Sequence, residues 1–365
     1  MEFVSPAVFE AVAAFFEISP KSVEPYGNGH INSTFLVTAD SKRYILQKVN
    51  SNVFKKPHEV MKNIMDVTSH IRAKAISNGL DPARVTLTVI NTRGGKPYFD
   101  SPDGMCWRLY EFVENTVAPE KVECAQDFYN CAFAFGVFQQ QLADYPVSQL
   151  FETIPNFHNT PWRYENLVKA IEADKAGRAL TVLPEIEFAK ARKEFCKTLE
   201  KAHAAGELPL RVTHNDTKLN NILFDDKTGE AVCVIDLDTV MPGFSVNDFG
   251  DSIRFGANTA VEDETDLSKV SLDLELFRTF ADGFIKGCDG KLTKKELELL
   301  PVGAMMMTLE CGMRFLTDHL DGDVYFKIHR ENHNLDRCRC QFALVADMER
   351  KLPEMNAIIK ELASK

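Results

Sequence analysis

Residues 211–226 read RVTHNDTKLNNILFDD and place a histidine, aspartates and adjacent asparagines beside apolar residues typical of strands. Farther along, the apolar run AVCVIDL (231–237) follows the turn sequence DDKTGE (225–230). Two apolar runs that flank such a turn predict a β-hairpin. The polar side chains therefore lie in a connection that leads into the hairpin, and Asp236 comes near the end of its second strand.

The spacing of the polar residues indicates phosphoryl transfer. His214 stands two positions before Asp216, and Asn221 follows Asp216 by five. Transfer of the γ-phosphoryl group of ATP needs a carboxylate beside the acceptor hydroxyl and oxygen ligands for Mg²⁺, and kinase catalytic loops supply them with this spacing. Asp236, twenty residues after Asp216, is the candidate for the second metal ligand. His-x-Asp also occurs at His319, where no asparagine follows at the same distance. His-x-Asp without the asparagine therefore carries little information.

A literal Asp-Phe-Gly at 248–250 invites assignment as the magnesium-binding motif of protein kinases. It lies 32 residues after Asp216, and no apolar strand precedes it, whereas Asp236 directly follows an apolar run. We therefore assign the metal to Asp236. We expect Asp248 and Asp251 to cap a helix or to brace the site.

A lysine in the N-terminal part is a candidate for binding the nucleotide phosphates. Leu46 and Lys48 point to the same face of a predicted strand, as do the Ala and Lys of the kinase Val-Ala-Ile-Lys pattern. The next helix would supply an acidic partner for Lys48. Glu59 and Asp66 are seven residues apart and share one face of that helix, and we favour Glu59.

The loop GNGHIN (27–32) precedes the strand that pairs with the lysine strand. Its residues Gly27, Gly29 and His30 are candidates for covering the ATP phosphates. Two glycines alone are a weak signal, because a simple tight turn has the same composition. The position of the loop just before a hairpin supports the nucleotide interpretation.

Strand and helix patterns divide the chain into two regions. The first region predicts an N-terminal helix, followed by a hairpin (34–38 and 43–49), a long helix (58–76) and two strands (84–90 and 105–113). Helical patterns dominate afterwards, including one continuous helix over 185–206. We therefore predict an α+β fold, with a small antiparallel sheet and one long helix in an N-lobe (1–113) and a mainly helical C-lobe (114–365).

Composition excludes several classes of function. With 45% hydrophobic and 26% charged residues, the 365-residue chain has the balance of a folded globular protein. A net charge of -11 without a basic run argues against nucleic acid as a partner. Nine scattered cysteines suggest neither a disulfide framework nor a zinc site. Because no signal peptide and no bilayer-spanning apolar run is found, we expect a cytoplasmic protein without a membrane partner.

The stretches THNDTKLNNILFD (213–225) and VIDLDTVMPG (234–243) resemble the aminoglycoside phosphotransferase and choline kinase family, whose fold is similar to that of protein kinases. The resemblance covers both predicted lobes. It implies ATP as co-substrate and Mg²⁺ as cofactor. It also implies that Asp216 is the catalytic base and that Asn221 and Asp236 bind the metal ion.

The same resemblance implies that the segment from Glu111 to Val113 contacts adenine through its backbone. The chain departs from protein kinases at two positions. Asn215 replaces the arginine that senses a phosphorylated activation segment, which favours a small-molecule acceptor. Asp238 stands where protein kinases have glycine, and it is a candidate to face Mg²⁺ or the acceptor.

Three further stretches are similar to family members that phosphorylate the anomeric hydroxyl of N-acetylglucosamine or N-acetylgalactosamine: GNGHINSTF (27–35), DFGDSIR (248–254) and ECGMRFLTDHLDGDVYFKIHRENHNLDRCR (310–339). This resemblance implies ATP and a neutral amino sugar as partners. Arg314 and Tyr325 are the candidates for gripping the sugar, since a guanidinium can donate to the acetamido carbonyl and a tyrosine offers an apolar face with a hydroxyl.

Other acceptors stay open at this point, among them choline, homoserine, methylthioribose and aminoglycosides. An alternative of another class is a catalytically silent kinase fold that only binds nucleotide. The presence of both Asp216 and Asp236 argues against that alternative. The sequence leaves the preferred sugar epimer and the oligomeric state open, and a monomer is compatible with it.

Overall fold

The structure is a computed structural model that describes residues 5–16, 20–27, 31–39, 42–119 and 124–364. The chain divides into two compact units. Unit 1 comprises Met1–Ala118, Asp144–Pro155 and Asn221–Pro242, and unit 2 comprises Pro119–Ala143, Asn156–Asn220 and Gly243–Lys365. Unit 1 thus contains two segments beyond the predicted N-lobe, and the lobe boundary after residue 113 stays a prediction.

The first part of the chain alternates short strands with helices. Its elements are α1 (Pro6–Phe15), β1 (Ser22–Pro25), β2 (Ser33–Ala39), β3 (Lys42–Lys48), α2 (Pro57–Ser77), α3 (Pro82–Val85), β4 (Val89–Ile90), β5 (Phe99–Asp100), β6 (Cys106–Glu111) and β7 (Thr116–Val117).

The remainder is mainly helical. Its elements are α4 (Ala125–Gln141), α5 (Thr160–Ala173), α6 (Leu183–Lys190), α7 (Thr198–Ala204), β8 (Arg211–Thr213), β9 (Ile222–Asp225), β10 (Ala231–Val234), β11 (Met241–Gly243), α8 (Ser245–Gly256), α9 (Leu274–Cys288), α10 (Lys294–Asp321) and α11 (His333–Leu362). The predicted α+β class is confirmed, with an antiparallel sheet in the N-terminal region and helices in the C-terminal region.

Unit 1 contains two antiparallel sheets. The larger has the order β1-β2-β3-β6-β4, with β5 also paired to β6, and the smaller has the order β10-β9-β7. In α1, apolar residues at helical spacing face the large sheet, where Val12 and Phe15 pack with Leu46 and Trp107. In α2, the predicted apolar face from Val60 to Ile71 is buried. Helix α1 therefore packs on the large sheet, a contact that the sequence did not predict.

Two predicted elements were wrong. Residues 84–90 do not form a single strand, because Asp81 caps a helical turn with its side chain (to Ala83 N, 3.0 Å) and Pro82 fixes the first position of that turn. The predicted helix over 185–206 breaks between α6 and α7. There Arg192 lies over the ring of Phe188 and forms a bidentate pair with Glu349 of α11, at 2.8 and 2.7 Å. The ion pair with Glu349 lies at a break that the continuous helical pattern conceals.

Helix α10 begins with a capping box between Thr293 and Glu296 and ends at Gly322, whose φ of 101° suits glycine. It spans 28 residues and is, by length and composition, apolar enough to cross a membrane. However, 83% of its most apolar 18-residue window is buried inside the protein, which identifies α10 as a core helix. The expectation that no apolar stretch has the length of a membrane span is thereby corrected.

Helices α4 and α9 of unit 2 approach closely through glycines. A Cβ atom added to Gly136 of α4 would lie 2.4 Å from the carbonyl oxygen of Phe284 and 2.9 Å from the backbone nitrogen of Cys288. Because both neighbours are backbone atoms, no side-chain rotation can relieve such a clash. The absence of a side chain at Gly136 is therefore a packing requirement.

We expect Gly136→Ala to lower the free energy of unfolding by about 1–3 kcal/mol, since the two helices must move apart to admit the methyl group. Urea denaturation followed by circular dichroism measures this change. Gly94→Ala is the matched control, because its Cβ would meet nothing nearer than Thr92 Oγ1 at 3.8 Å. Equal effects of the two substitutions would contradict the packing argument.

Candidate active site

The segment that follows β8 is anchored in unit 2 by its histidine. His214 has no exposed surface, and its ring meets Phe135 and Phe138 of α4 edge-on, with centroids at 5.4 and 5.9 Å. An imidazole held among aromatic rings is a structural group. The histidine of the predicted catalytic loop therefore fixes the loop to α4.

Asp248, in the first turn of α8, clamps the backbone of the loop. Its carboxylate accepts the N–H groups of His214 (2.8 Å) and Asn215 (2.7 Å), and Gln139 Nε2 donates to it as well (2.8 Å). Burial raises the pKa of Asp248, which His214 and these donors only partly oppose. The expected bracing role of Asp248 is confirmed.

Asp251, one turn later on α8, supports the next part of the loop. It accepts the N–H of Thr217 at 3.2 Å and binds the guanidinium of Arg254 at 2.9 Å. Ser252 donates to the carbonyl of Thr217 at 2.7 Å. Asp248, Asp251 and Ser252 of α8 thus all bind the backbone of the loop.

Asp216, the acidic residue of the loop, is partly accessible to solvent. About a quarter (24%) of its side chain is exposed, and Lys218 Nζ lies 2.7 Å from its Oδ1. Burial lowers the pKa of Lys218, but the nearby carboxylates of Asp216 and Asp251 outweigh this effect and raise it. Sequence analysis missed Lys218, although its spacing two residues after the aspartate was available as a signal.

The two residues predicted to grip a sugar share an aromatic neighbour in unit 2. The guanidinium of Arg314 lies 5.4 Å from the ring centre of Phe326 and 5.9 Å from that of Phe157. Tyr325 is 69% exposed and meets Phe326 edge-on at 4.8 Å. Burial and the guanidinium of Arg314 lower the pKa of Arg163, which puts two arginines in one neighbourhood.

In unit 1, the β9–β10 hairpin brings two predicted metal ligands together. Val234 pairs with Ile222, and the N–H of Ile235 donates to the carbonyl of Asn221 at 2.8 Å. Asn221 and Asp236 therefore lie at the same open end of the hairpin. An amide oxygen and a carboxylate are hard oxygen donors, which fits Mg²⁺ and not a soft metal ion.

Asp238 has partners that sequence analysis missed. Its side chain is 4% exposed, forms an ion pair with Arg108, and accepts from Asn32 Nδ2 at 2.6 Å. Arg108 in turn donates to Gln47 Oε1, at 3.0 Å from Nε and 2.7 Å from Nη2. The predicted role of Asp238 toward Mg²⁺ or the acceptor stays a prediction, since both of its oxygens are already engaged.

The predicted pair of Lys48 and Glu59 is not formed. Glu59, in the first turn of α2, forms an ion pair with Lys56 at 2.9 Å, and Asp66 accepts from Lys62 and from Tyr145 Oη. Within the described part of the chain, Lys48 takes part in no ion pair. Each carboxylate is thus paired with a lysine three or four positions away in the sequence.

The remaining predicted nucleotide residues are placed as follows. Gly27 has a φ of 72°, the left-handed conformation that favours glycine, whereas Gly29 and His30 lie outside the described residues. At the end of β6, the N–H of Glu111 donates to Thr88 O at 2.9 Å. Val113 is buried, and its carbonyl accepts from Thr116 Oγ1 at 2.7 Å.

Comparison with known proteins identifies relatives of this fold. A microcompartment-associated aminopropanol kinase has 16% identity and a TM-score of 0.63, covering 96% of this chain and 98% of that one. An aminoglycoside phosphotransferase from Alicyclobacillus acidocaldarius has 13% identity and a TM-score of 0.63 (100% and 98% covered). A choline kinase from Cryptosporidium parvum has 14% identity and a TM-score of 0.53 (93% of each). At these identities the likeness shows the fold alone.

The sequence itself gives the family. Residues 22–269, more than half of the chain, match the model of the phosphotransferase enzyme family. The match includes the loop at Asp216, the β9–β10 hairpin and the bracing residues of α8. This chain belongs to the phosphotransferase enzyme family.

Proposed function

We propose that this chain is an ATP-dependent kinase that phosphorylates the anomeric hydroxyl of an N-acetylhexosamine, N-acetylglucosamine or N-acetylgalactosamine. The observation that carries the proposal is the braced loop, in which Asp248 and Asp251 fix the backbone while Asp216 stays accessible. Such a fixed carboxylate suits a reaction whose catalysis is mainly positioning and electrostatics. The sequence similarity to kinases of N-acetylhexosamines supports the choice of acceptor.

In this proposal Asp216 orients the anomeric hydroxyl and takes its proton late in the reaction. A bond forms between the sugar oxygen and the γ-phosphorus as the bond from that phosphorus to the β,γ-bridging oxygen breaks, and ADP leaves. An unperturbed aspartate is a weak base at pH 7, so an anomeric hydroxyl, which is more acidic than an ordinary alcohol, suits it. Lys218 holds Asp216 and adds positive charge beside the transferred group.

The nucleotide side of the proposal draws on residues of unit 1. Lys48 and the loop with Gly27, Gly29 and His30 would bind the phosphates, and the segment from Glu111 to Val113 would contact adenine. Glu59 would join the nucleotide site only by leaving Lys56. Asn221 and Asp236 would hold Mg²⁺, which neutralises charge on the phosphates when bound.

The acceptor side of the proposal draws on Arg314 and Tyr325 of unit 2, which would grip the sugar. Asp238 would bind the acceptor only by exchanging one of its present partners. The nearby guanidiniums of Arg163 and Arg314 disfavour a cationic acceptor such as choline or an aminoglycoside, because like charges repel. A neutral sugar with hydroxyl and carbonyl oxygens can accept hydrogen bonds from the same groups.

All nine cysteines are free thiols, which is consistent with a reducing, cytoplasmic setting.

We expect N-acetylglucosamine or N-acetylgalactosamine with Mg-ATP to yield ADP, and expect choline, ethanolamine, homoserine, methylthioribose and an aminoglycoside to yield none above background. A coupled ADP assay measures this panel. The matched control is the methyl glycoside of the same N-acetylhexosamine, in which the anomeric oxygen is blocked while the ring and the other hydroxyls are kept. Turnover of the methyl glycoside would exclude the anomeric position, and turnover of an amine alone would overturn the sugar assignment.

We expect Asp216→Asn to lower kcat by about 10²- to 10⁴-fold, because the amide cannot accept the hydroxyl proton. The affinity for ATP, measured by calorimetry, should stay nearly unchanged, since Asp216 faces the acceptor in this proposal. Asp226→Asn, in the exposed turn between β9 and β10, is the control with the same chemical change. A kcat for Asp216→Asn within twofold of the wild-type value would refute the assigned role.

A further inference from the structure

A histidine of unit 2 bridges the catalytic loop and a buried glutamate. His158 Nδ1 lies 2.9 Å from Glu310 Oε1 of α10, and His158 Nε2 lies 3.0 Å from the carbonyl oxygen of Asn215. The side chain of His158 is 9% exposed and that of Glu310 is 1% exposed. Sequence analysis singled out neither residue, and neither has a part in the reaction described above.

Both partners of the ring are hydrogen-bond acceptors. A carboxylate and a peptide carbonyl can only receive hydrogen bonds, so each ring nitrogen must carry a hydrogen to satisfy its contact. A neutral imidazole has one N–H group and would leave one contact as two facing lone pairs. The geometry therefore requires the doubly protonated imidazolium form of His158.

The charges around His158 agree with this protonation state. Burial lowers the pKa of His158, but the carboxylate of Glu310, the carbonyl of Asn215 and the carboxylate of Asp251 on α8 outweigh burial and raise it. Burial acts on Glu310 in the opposite sense, yet His158, Arg163 and Arg314 lower its pKa. Both shifts favour the charged form of the pair.

The bridge completes a clamp on one peptide unit of the loop. The N–H of Asn215 donates to Asp248 Oδ1 at 2.7 Å, and its carbonyl accepts from His158. Asn215 has a φ of 65°, a conformation that costs free energy in a residue other than glycine and persists only when its surroundings hold it. Since Asn215 directly precedes Asp216, the clamp fixes the direction in which Asp216 points.

Glu310 extends the bridge toward the residues proposed to bind the sugar. Its second oxygen accepts from Thr160 Oγ1 at 2.8 Å, and the charges of Arg163 and Arg314 act on its carboxylate. Arg314 lies one helical turn after Glu310 on α10, on the same face. The carboxylate of Glu310 therefore acts both on His158, which supports the loop, and on the arginines Arg163 and Arg314.

We propose that His158 is a positioning residue which, as an imidazolium paired with Glu310, holds the Asn215 peptide and so aims Asp216 at the acceptor. The role rests on the proposed function in so far as Asp216 is the catalytic base. His158 itself touches neither substrate nor nucleotide. When the ring loses a proton, the remaining hydrogen stays on Nδ1 against the charged carboxylate of Glu310, so the contact of Nε2 with the Asn215 carbonyl is lost.

The sign of the pH dependence follows from the direction of the shift. A histidine whose pKa is raised on folding stabilises the folded state below its ordinary pKa, and this contribution disappears as pH rises through the raised value. We therefore expect kcat to fall at a pH above the ordinary histidine range. Replacement of the Glu310 charge should move this fall to lower pH.

The experiment combines kinetics with histidine NMR. For wild-type protein, ¹⁵N spectra of labelled histidines should show one ring, absent from His158→Gln, with both nitrogens protonated at pH 7. His158→Gln should lower kcat on the order of 10- to 100-fold and keep the KM for ATP within about twofold of wild type. Its pH profile should lack the fall in kcat at alkaline pH that the wild-type protein shows. Glu310→Gln should keep the fall in kcat but shift it to lower pH. His203→Gln is the control and should retain wild-type kcat. The ring of His203 contacts the carbonyl of Leu208 at 2.8 Å and, among the described residues, forms no hydrogen bond with the loop.

The outcomes separate the possibilities. A neutral ring for His158 at pH 7 overturns the proposal, and this measurement does not depend on how any variant folds. So does a kcat of His158→Gln within twofold of wild type, or an equal loss in His158→Gln and His203→Gln. If no N-acetylhexosamine is phosphorylated, the sugar assignment fails on its own, and the kinetic arms use whichever acceptor of the panel is active.

Discussion

The clamp of Asp248 on the backbone of His214 and Asn215 is the constraint on which the candidate site depends. A left-handed residue other than glycine costs free energy, and here it sits directly before the accessible carboxylate. Two charge-assisted hydrogen bonds from backbone N–H groups to one buried carboxylate hold that conformation. Without them the loop could relax to an ordinary backbone conformation, and the direction of Asp216 would change with it.

This use of Asp248 illustrates how a short motif changes meaning with its structural context. An Asp-Phe-Gly at the end of a strand exposes its carboxylate, whereas the same three residues inside the first turns of α8 bury it against the loop. The following Asp251 and Arg254 continue the polar face of the same helix. In the sequence, no apolar run directly precedes Asp248, and this feature favoured a bracing role over a metal site. The assignment of the metal ion to Asp236 stays a prediction.

Periodicity predicted the elements that bury one clear face. The helical spacing in α2 and the strand-rich runs of β2 and β3 predicted these elements to within one residue at most ends, and an N-terminal helix was also predicted, because burial of one face decides their structure. The α6–α7 break and the turn at Pro82 were missed, since the first depends on an ion pair with distant Glu349 and the second on a cap overlooked in a strand-like stretch. In the site, fixed spacing gave Asp216, Asn221 and Asp236. The partners His158, Glu310 and Arg108 lie far apart in sequence, and no local pattern marks them.

Helix α10 supports the loop region at two points. Near its start, Glu296 binds Arg211 at the beginning of β8 and Ser245 at the beginning of α8, and fourteen residues later Glu310 reaches His158. At 1.5 Å per residue these points are roughly 21 Å apart along one continuous rod, interrupted in its hydrogen bonding only at Pro301. Helix α10 thus supports the elements on both sides of the loop, in addition to the contacts from α4 and α8. Transplanting the loop between relatives would therefore require moving α10 along with it.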